Sequence, residues 1–461
     1  MTYMKETVTT IHIYHTNDVH SHFENWPQIK RFLQQQKRIA KEAGEAVFLL
    51  DIGDHIDRSH PFTEGTQGKG NIDLLNDAGY DAATIGNNEG ITMSKRELES
   101  LYEDATFDVI VCNIKELNGE QPYWAQPYRI RETAEGVRVG LIGATAPYYE
   151  FYRKLGWEVL EPRGQIMEIA RAIRPEVDVL VCLSHLGINE DRLLAAACPE
   201  LDIILGGHTH HLLPTGEWSA DTLIAASGKF GQHIGHIQVD IDRLTNQVVH
   251  MEAEVFSTQT MERTDTDVKE INSYFTAGEK ALHVPVFYNP SPLTQRLTDD
   301  SPLSSLFGRA LLAYTHADCA LFNAGIFLGS LEEGWVTKGN LHSLLPHPIN
   351  PCIVQLDGAE LVEVYEQSLD PKWTELEIRG LGFRGTFMGS MIHEHLFRNQ
   401  AGQLFAGNRL VIPGETYALA TLDMFTFGYF FPLLKDAPKD YIMPELIRDV
   451  LGWYGKKYFN E

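Results

Sequence analysis

The pattern His208-Thr209-His210 sets two imidazoles one residue apart, directly after the apolar run Ile203-Ile204-Leu205 and the pair Gly206-Gly207. Imidazoles delivered by a loop just past a buried strand are a common metal-ligand arrangement, although a His pair can equally sit idle on a surface. The same kind of junction recurs along the chain. Asp18 and His20 follow the run 10–14, Asp54 follows 46–50, Asn87 follows 81–85, and His185 follows 177–183. Carboxylate, imidazole and amide together make the hard-to-borderline ligand set of Mn, Zn, Fe or Co. These groups exceed what one cation needs and match two cations about 3.5–4 Å apart that share a carboxylate. Such a pair lowers the pKa of a water between them and neutralises phosphoryl oxygens, which is the chemistry of phosphate-ester cleavage. For any one of these residues alone, a helix cap or a backbone hydrogen bond is the competing use.

The elements that must carry them alternate. Apolar runs at 10–14, 46–50, 81–85, 107–111, 137–142, 177–183 and 203–205 read as strands, and segments near 26–41, 72–78, 94–103, 165–173 and 191–197 have helical periodicity. Strands apolar on both faces, interleaved with helices, indicate an α/β layered fold, whose ligands gather at the carboxyl ends of its strands. From 222 to 256 the pattern turns to alternation, as expected of antiparallel strands that close a domain. A polar stretch at 257–267 and one helix at 268–283 follow. Beyond Pro285 come short strands, Gly-rich turns and aromatic clusters, with no metal-type cluster of their own. The expected division is a domain at 1–258, a linker helix at 259–284 and a second domain at 285–461.

The length of 461 residues also requires more than one core. Apolar residues make up 43% and charged ones 22%, a globular balance, with no run of the roughly 20 apolar residues that a membrane span needs. A formal net charge of -25 is the wrong sign for a nucleic-acid polymer, and it leaves any anionic substrate in need of local positive charge. The 5 cysteines are scattered in apolar runs and read as free buried thiols of a reducing compartment. With a polar N-terminus lacking the apolar core of a signal peptide, the expected location is the cytoplasm. No oligomeric state is legible.

The blocks Asp18-Val19-His20, Gly53-Asp54, Gly86-Asn87, the lone His185 and Gly207-His208-Thr209-His210 resemble, in order and spacing, those of the calcineurin-like metallophosphoesterases. The second half is similar to the 5'-nucleotidase C-terminal domain through Ser301-Pro302-Leu303, Ala317-Asp318, Asn323-Ala324-Gly325-Ile326 and Leu356-Asp357-Gly358-Ala359-Glu360-Leu361. The resemblance implies a two-sheet α/β sandwich followed by an α+β substrate-binding domain, with catalysis in the cleft between them. It implies one cation held by Asp18, His20, Asp54 and His210, and a second held by Asp54, Asn87, His185 and His208, with Asp54 as the bridge.

Two departures accompany the resemblance. The family's Gly-Asn-His-Asp/Glu block reads Gly86-Asn87-Asn88-Glu89, and the Asp that orients its His is replaced by Ile91. Asn88 can donate a hydrogen bond but carries no titratable proton, and loss of general-acid help costs about 10²–10⁴ in rate, most for poor leaving groups. Arg58, as a phosphate contact, and His55, as a proton donor, are the nearest candidate replacements; His22 and His60 are weaker ones, and His12 and His15 read as structural. In the second half, Phe327 stands where the family has a substrate-binding Arg, and Thr426-Phe427-Gly428-Tyr429 replaces a Gly-rich block. Asn323, Phe383, Arg384, Phe427 and Tyr429, with Phe431 as a further ring, are the candidate substrate contacts there, against the competing reading that the rings are core.

The expected function is two-metal hydrolysis of a nucleotide or related phosphate ester, with hydroxide held by the cations attacking phosphorus. The alternative is a protein that binds and senses a phosphorylated ligand with little turnover, because the usual His is Asn88. A protein-serine phosphatase is a minor third reading that rests only on the spacing of Arg58.

Overall fold

The computed structural model describes residues 8–459. The chain divides into two compact units, one up to Gly278 and one from Glu279.

The first unit is built on two six-stranded sheets. In one, Val8–Thr16, Ala46–Asp51, Ala82–Ala83 and Asp108–Val109 run parallel. The antiparallel pair His233–Asp242 and Gln247–Ser257 extends that sheet beside Val8–Thr16. In the other, Arg138–Thr145, Val179–His185, Ile203–Gly206 and Thr222–Ala225 run parallel, with Tyr128–Glu132 and Glu217–Ser219 as antiparallel edges. The expected antiparallel closure is therefore partial: Thr222–Ala225 joins a parallel ladder, and alternation begins in earnest at His233. The strands expected at 81–85 and 107–111 shrink to two residues each; after Val109 the backbone turns to other partners, with Val111 N–H donating to Gln126 O and Cys112 N–H to Gly143 O.

The core lies between the sheets. Val179, Val181 and Leu183 point into it beside Ile11, Ile13, Phe48, Leu50, Ile203, Leu205, Ile237 and Val239. The alternate residues Leu180 and Cys182 face the other way and are covered, with Ile142 and Ile204, by Ile166, Ala170, Ile173 and Leu194 of the helices Pro162–Ile173 and Ile188–Ala197. Both faces of these strands are thus buried, which is why their sequence is apolar without alternation. Each fully buried Val, Leu or Ile contributes roughly 1.5–3 kcal/mol, and a one-residue slip would exchange the two faces. The register at the strand ends is therefore set by the core.

The second unit holds a five-stranded sheet in the order Met391–Glu394, Cys319–Asn323, Thr416–Leu422, Pro351–Asp357, Lys439–Tyr441. Its longer helices are Pro302–Thr315, Gly358–Ser368 and Ile447–Phe459. Mixed sheet and helices make it α+β, as expected. All five cysteines are free and buried. Among the described residues no helix is long and apolar enough to cross a membrane.

Candidate metal centre

The side chains at issue leave the carboxyl ends of parallel strands in both sheets of the first unit. Asp18 and His20 follow Val8–Thr16, Asp54 follows Ala46–Asp51, and Asn87 opens the helix Asn87–Ile91. His185 ends its strand, and His208 and His210 follow Ile203–Gly206. The loops are laced together by backbone bonds: Asp18 N–H donates to Gly53 O (3.0 Å), His20 N–H to Asp54 O (2.8 Å) and Ser21 N–H to His55 O (2.9 Å). Such close lacing forces unusual backbone. Asp18, His20, Asp54, His208 and His210 all have positive φ, between 50° and 70°, a conformation costing of order 1 kcal/mol or more for each non-glycine residue. The glycines allow the approach. A Cβ on Gly86 would stand 2.1 Å from Asp54 Oδ1, and one on Gly53, itself at φ 84°, would stand 2.4 Å from Gly86 N.

Two ligand groups result, Asp18 with His20 and His210, and Asp54 with His185 and His208, each with its ligand atoms within 4.8 Å of one another. In the first, His20 Nε2 is 3.6 Å and His210 Nε2 3.4 Å from Asp18 Oδ1. In the second, His185 Nε2 is 3.4 Å from Asp54 Oδ2, and Asn87 Oδ1 meets His208 Nδ1 at 2.8 Å. Asp54 Oδ2 also lies 3.7 Å from His20 Nε2, so this carboxylate reaches both groups. The structure brings all seven expected ligand side chains together.

His185 tests whether cations suit the place. Its Nδ1–H donates to Ile52 O at 2.7 Å, which leaves a lone pair on Nε2. That Nε2 is buried without a hydrogen-bond partner, and it faces the Asp54 carboxylate. Nε2 and the carboxylate need a positive charge between them, which a proton on the imidazole or a metal ion in its place supplies. Burial opposes charge on this imidazole, yet Asp54 and Asp18 raise its pKa to about 10. Burial likewise opposes charge on Asp18, but His20 and His210 outweigh it and hold the carboxyl far below its usual range. His208 goes the other way, to about 4, through burial and the neighbouring His185. The N/O donor set fits a borderline divalent cation, and the site is built to attract one.

The candidate catalytic residues are put to other uses. Arg58 donates Nε and Nη2 to Glu64 (2.8 and 3.1 Å) and Nη1 to Thr92 O (2.6 Å), a structural clamp rather than an open phosphate contact. His55 packs edge-on against Trp26 and is buried, which pushes its pKa down to about 3; it is neutral near pH 7 and has no proton to give as an acid. Asn88 is only 7% exposed. Its backbone N–H donates to Asp54 Oδ1 (2.7 Å), while Nδ2 donates to Ile56 O (2.9 Å) and lies 2.8 Å from His20 Nδ1. Asn88 thus orients two ligands and is not presented to an incoming phosphate. His60 caps the helix Pro61–Thr66, His22 packs at a tilt against Phe230, and His15 is buried inside the sheet.

Glu89 escaped the sequence reading. Buried at 2% exposure, it accepts from Asp54 N, Gly86 N and Ile56 N at 2.8–2.9 Å and so binds two ligand loops together. A Glu three residues past Gly86, at a helix start, was the available signal. Phe230 was missed as well: its N–H donates to Asp18 O (2.8 Å), and its ring lies 5.9 Å from that of His20 and 6.3 Å from that of His210.

In the second unit, Phe383 is buried and stacked on His347 (5.0 Å, 3°), so it serves as core and not as an open stacking platform. Phe431 is fully buried too. Asn323 donates Nδ2 to Met388 O (2.8 Å) while its Oδ1 is buried without a partner. Arg384 donates its backbone N–H to His347 Nδ1 (2.9 Å) and Nη1 to Phe383 O (3.2 Å). Phe427 is half-buried, and Tyr429 is 77% exposed.

Family comparisons agree with this architecture. The calcineurin-like phosphoesterase model matches residues 11–212, and the 5'-nucleotidase C-terminal domain model matches 282–388. The chain is 39% identical over 458 residues to the uncharacterized metallophosphoesterase YunD of Bacillus subtilis, covering 96% of this chain and 98% of that one. It is 24% identical to rat 5'-nucleotidase over 420 residues, 77% of this chain and 71% of the relative. A crystal structure of a putative 5'-nucleotidase from Staphylococcus aureus shares the fold, with a TM-score of 0.68 at 16% identity over 98% of this chain and 97% of that one. The ordered blocks, the paired sheets that present them and a full-length relative at this identity lead to one conclusion: the chain belongs to the calcineurin-like metallophosphoesterases that carry a 5'-nucleotidase C-terminal domain, and it is a phosphoester hydrolase.

Proposed function

We propose that the protein hydrolyses phosphate esters of nucleotides with two divalent cations. Asp18, His20, Asp54 and His210 would hold one, and Asp54, Asn87, His185 and His208 the other. The observation that carries this reading is the buried, unpartnered Nε2 of His185 facing Asp54 beside a second three-ligand group. Bound there, two cations would acidify a shared water and neutralise charge on the phosphoryl group. The chain's own part is positioning. Ile52 O fixes the tautomer of His185, Glu89 ties the Asp54 loop to the Asn87 loop, and Asn88 holds Asp54 Oδ1 and faces His20.

None of the three side chains considered as acid or phosphate grip serves as a proton donor, since His55 is neutral, Arg58 is clamped and Asn88 has no titratable proton. The reading therefore favours esters whose leaving group departs without protonation, such as a nitrophenolate or a pyrophosphate, over a ribose hydroxyl. The test is hydrolysis by Mn²⁺-supplemented protein of nitrophenyl phosphate, bis-nitrophenyl phosphate, a nucleoside diphosphate ester and AMP. The expected order puts AMP last by about 10²-fold or more. Metal uptake with no release from any of them would support the sensing alternative instead.

A further inference from the structure

The rim of the Asp18–His20–His210 group carries a cation that the reading so far does not use. Lys229 is half-buried, and its Nζ lies 4.5 Å from the centroid of the Phe230 ring. Phe230 is no ordinary surface ring. It sits at φ 59°, its N–H is bonded to Asp18 O, and its ring packs on His22 at 3.8 Å as well as beside His20 and His210. The Lys229 backbone is thereby tied to a candidate metal ligand, while its side chain reaches out over an aromatic face. Among the described residues its ammonium makes no ion pair, and the Phe230 ring is its contact. The chain as a whole carries a net charge of -25, and Arg58, the other cation considered for the phosphate, is clamped on Glu64. An ammonium resting on a ring is held weakly and swings readily to a phosphate oxygen, to which a Lys offers a point charge and three donors.

We propose that Lys229 grips the phosphate of the substrate and selects for charge, favouring a dianionic phosphate monoester over a singly charged diester. This rests on the phosphoesterase reading above for where the phosphate sits. It supplies the local positive charge that so acidic a protein needs to receive an anion.

The variants are Lys229→Met, which keeps the aliphatic stem on Phe230, Lys229→Gln and Lys229→Arg. Two readouts are taken with each: steady-state kinetics on nitrophenyl phosphate and bis-nitrophenyl phosphate, and calorimetric binding of inorganic phosphate. In Lys229→Met and Lys229→Gln, KM for the monoester and Kd for inorganic phosphate should rise about 10-fold, the size of one charged hydrogen bond. Over the same change kcat should move less than about 3-fold, the diester KM should barely change, and Lys229→Arg should restore most of the loss. Unchanged monoester KM and phosphate Kd in a folded Lys229→Met overturn the proposal while leaving the phosphoesterase reading intact. If the wild-type protein cleaves no ester yet binds phosphate through Lys229, the grip stands and the hydrolytic reading fails. If it neither binds nor cleaves, both fall.

Discussion

Asn88 shows how one residue can look catalytic in sequence and act as a brace in structure. Its amide is wedged between Ile56 O and the His20 ring, and its backbone N–H holds Asp54 Oδ1. Asn88→Ala removes the side-chain brace and keeps the backbone bond. Outer partners of metal ligands typically matter by 10–100-fold in affinity, so this variant should bind Mn²⁺ about 10-fold more weakly by calorimetry, while kcat at saturating metal falls less. A variant that binds metal as the wild type does and loses only kcat would return Asn88 to the role of substrate contact. The candidate ligands that converge were legible because Asp, His and Asn are the residue types that bind such cations. The uses of Arg58 and His55 were not. Arg58 is neutralised by Glu64, six positions along, and His55 by aromatic rings that only the fold brings near.

At the scale of the element, the centre depends on how closely the strand-end loops approach. Gly86 is the tightest point, with no room for a methyl group beside Asp54 Oδ1. Gly86→Ala should leave the two-sheet core folded and yet displace the Asp54 carboxylate, with metal content falling below about one ion per chain by elemental analysis. Retention of full metal content would mean that the loop yields and that Asp54 is less constrained than the contact distance implies. The strands themselves were visible as apolar runs because both of their faces are buried, as Leu180 and Val181 illustrate. Strand lengths were not. Ala82–Ala83 ends where the chain turns toward Asn87, and Asp108–Val109 ends where Val111 and Cys112 bond instead to Gln126 and Gly143, partners that only the fold brings near. The left-handed backbone of Asp18 and His210 was equally hidden, since nothing in their local sequence calls for it.

At the scale of the whole molecule, acid stability should report on the second unit. Its His347 is held neutral, with Nε2–H bonded to Ile326 O and Nδ1 accepting from Arg384 N. Burial, with Arg384 and Arg448 nearby, lowers its pKa from 6.5 to about 4. A group depressed in this way contributes stability that is present above pH 6.5 and lost as pH falls toward 4, on the order of 3 kcal/mol in all. His347→Gln can make both bonds without titrating, so its melting temperature should fall less between pH 7 and pH 4.5 than that of the wild type. Parallel profiles would show that His347 is not the group being protonated.

The central claim concerns the first unit: side chains from two sheets converge on a pair of cations joined through Asp54. Elemental analysis of protein loaded with Mn²⁺ or Zn²⁺ and freed of excess tests it most directly, in the wild type and in Asp54→Asn. Two ions per chain are expected in the wild type, one or fewer in the variant, and loss of phosphoesterase activity in step with the ions. Only stray metal in the wild type, or two ions retained without the Asp54 carboxylate, would contradict it.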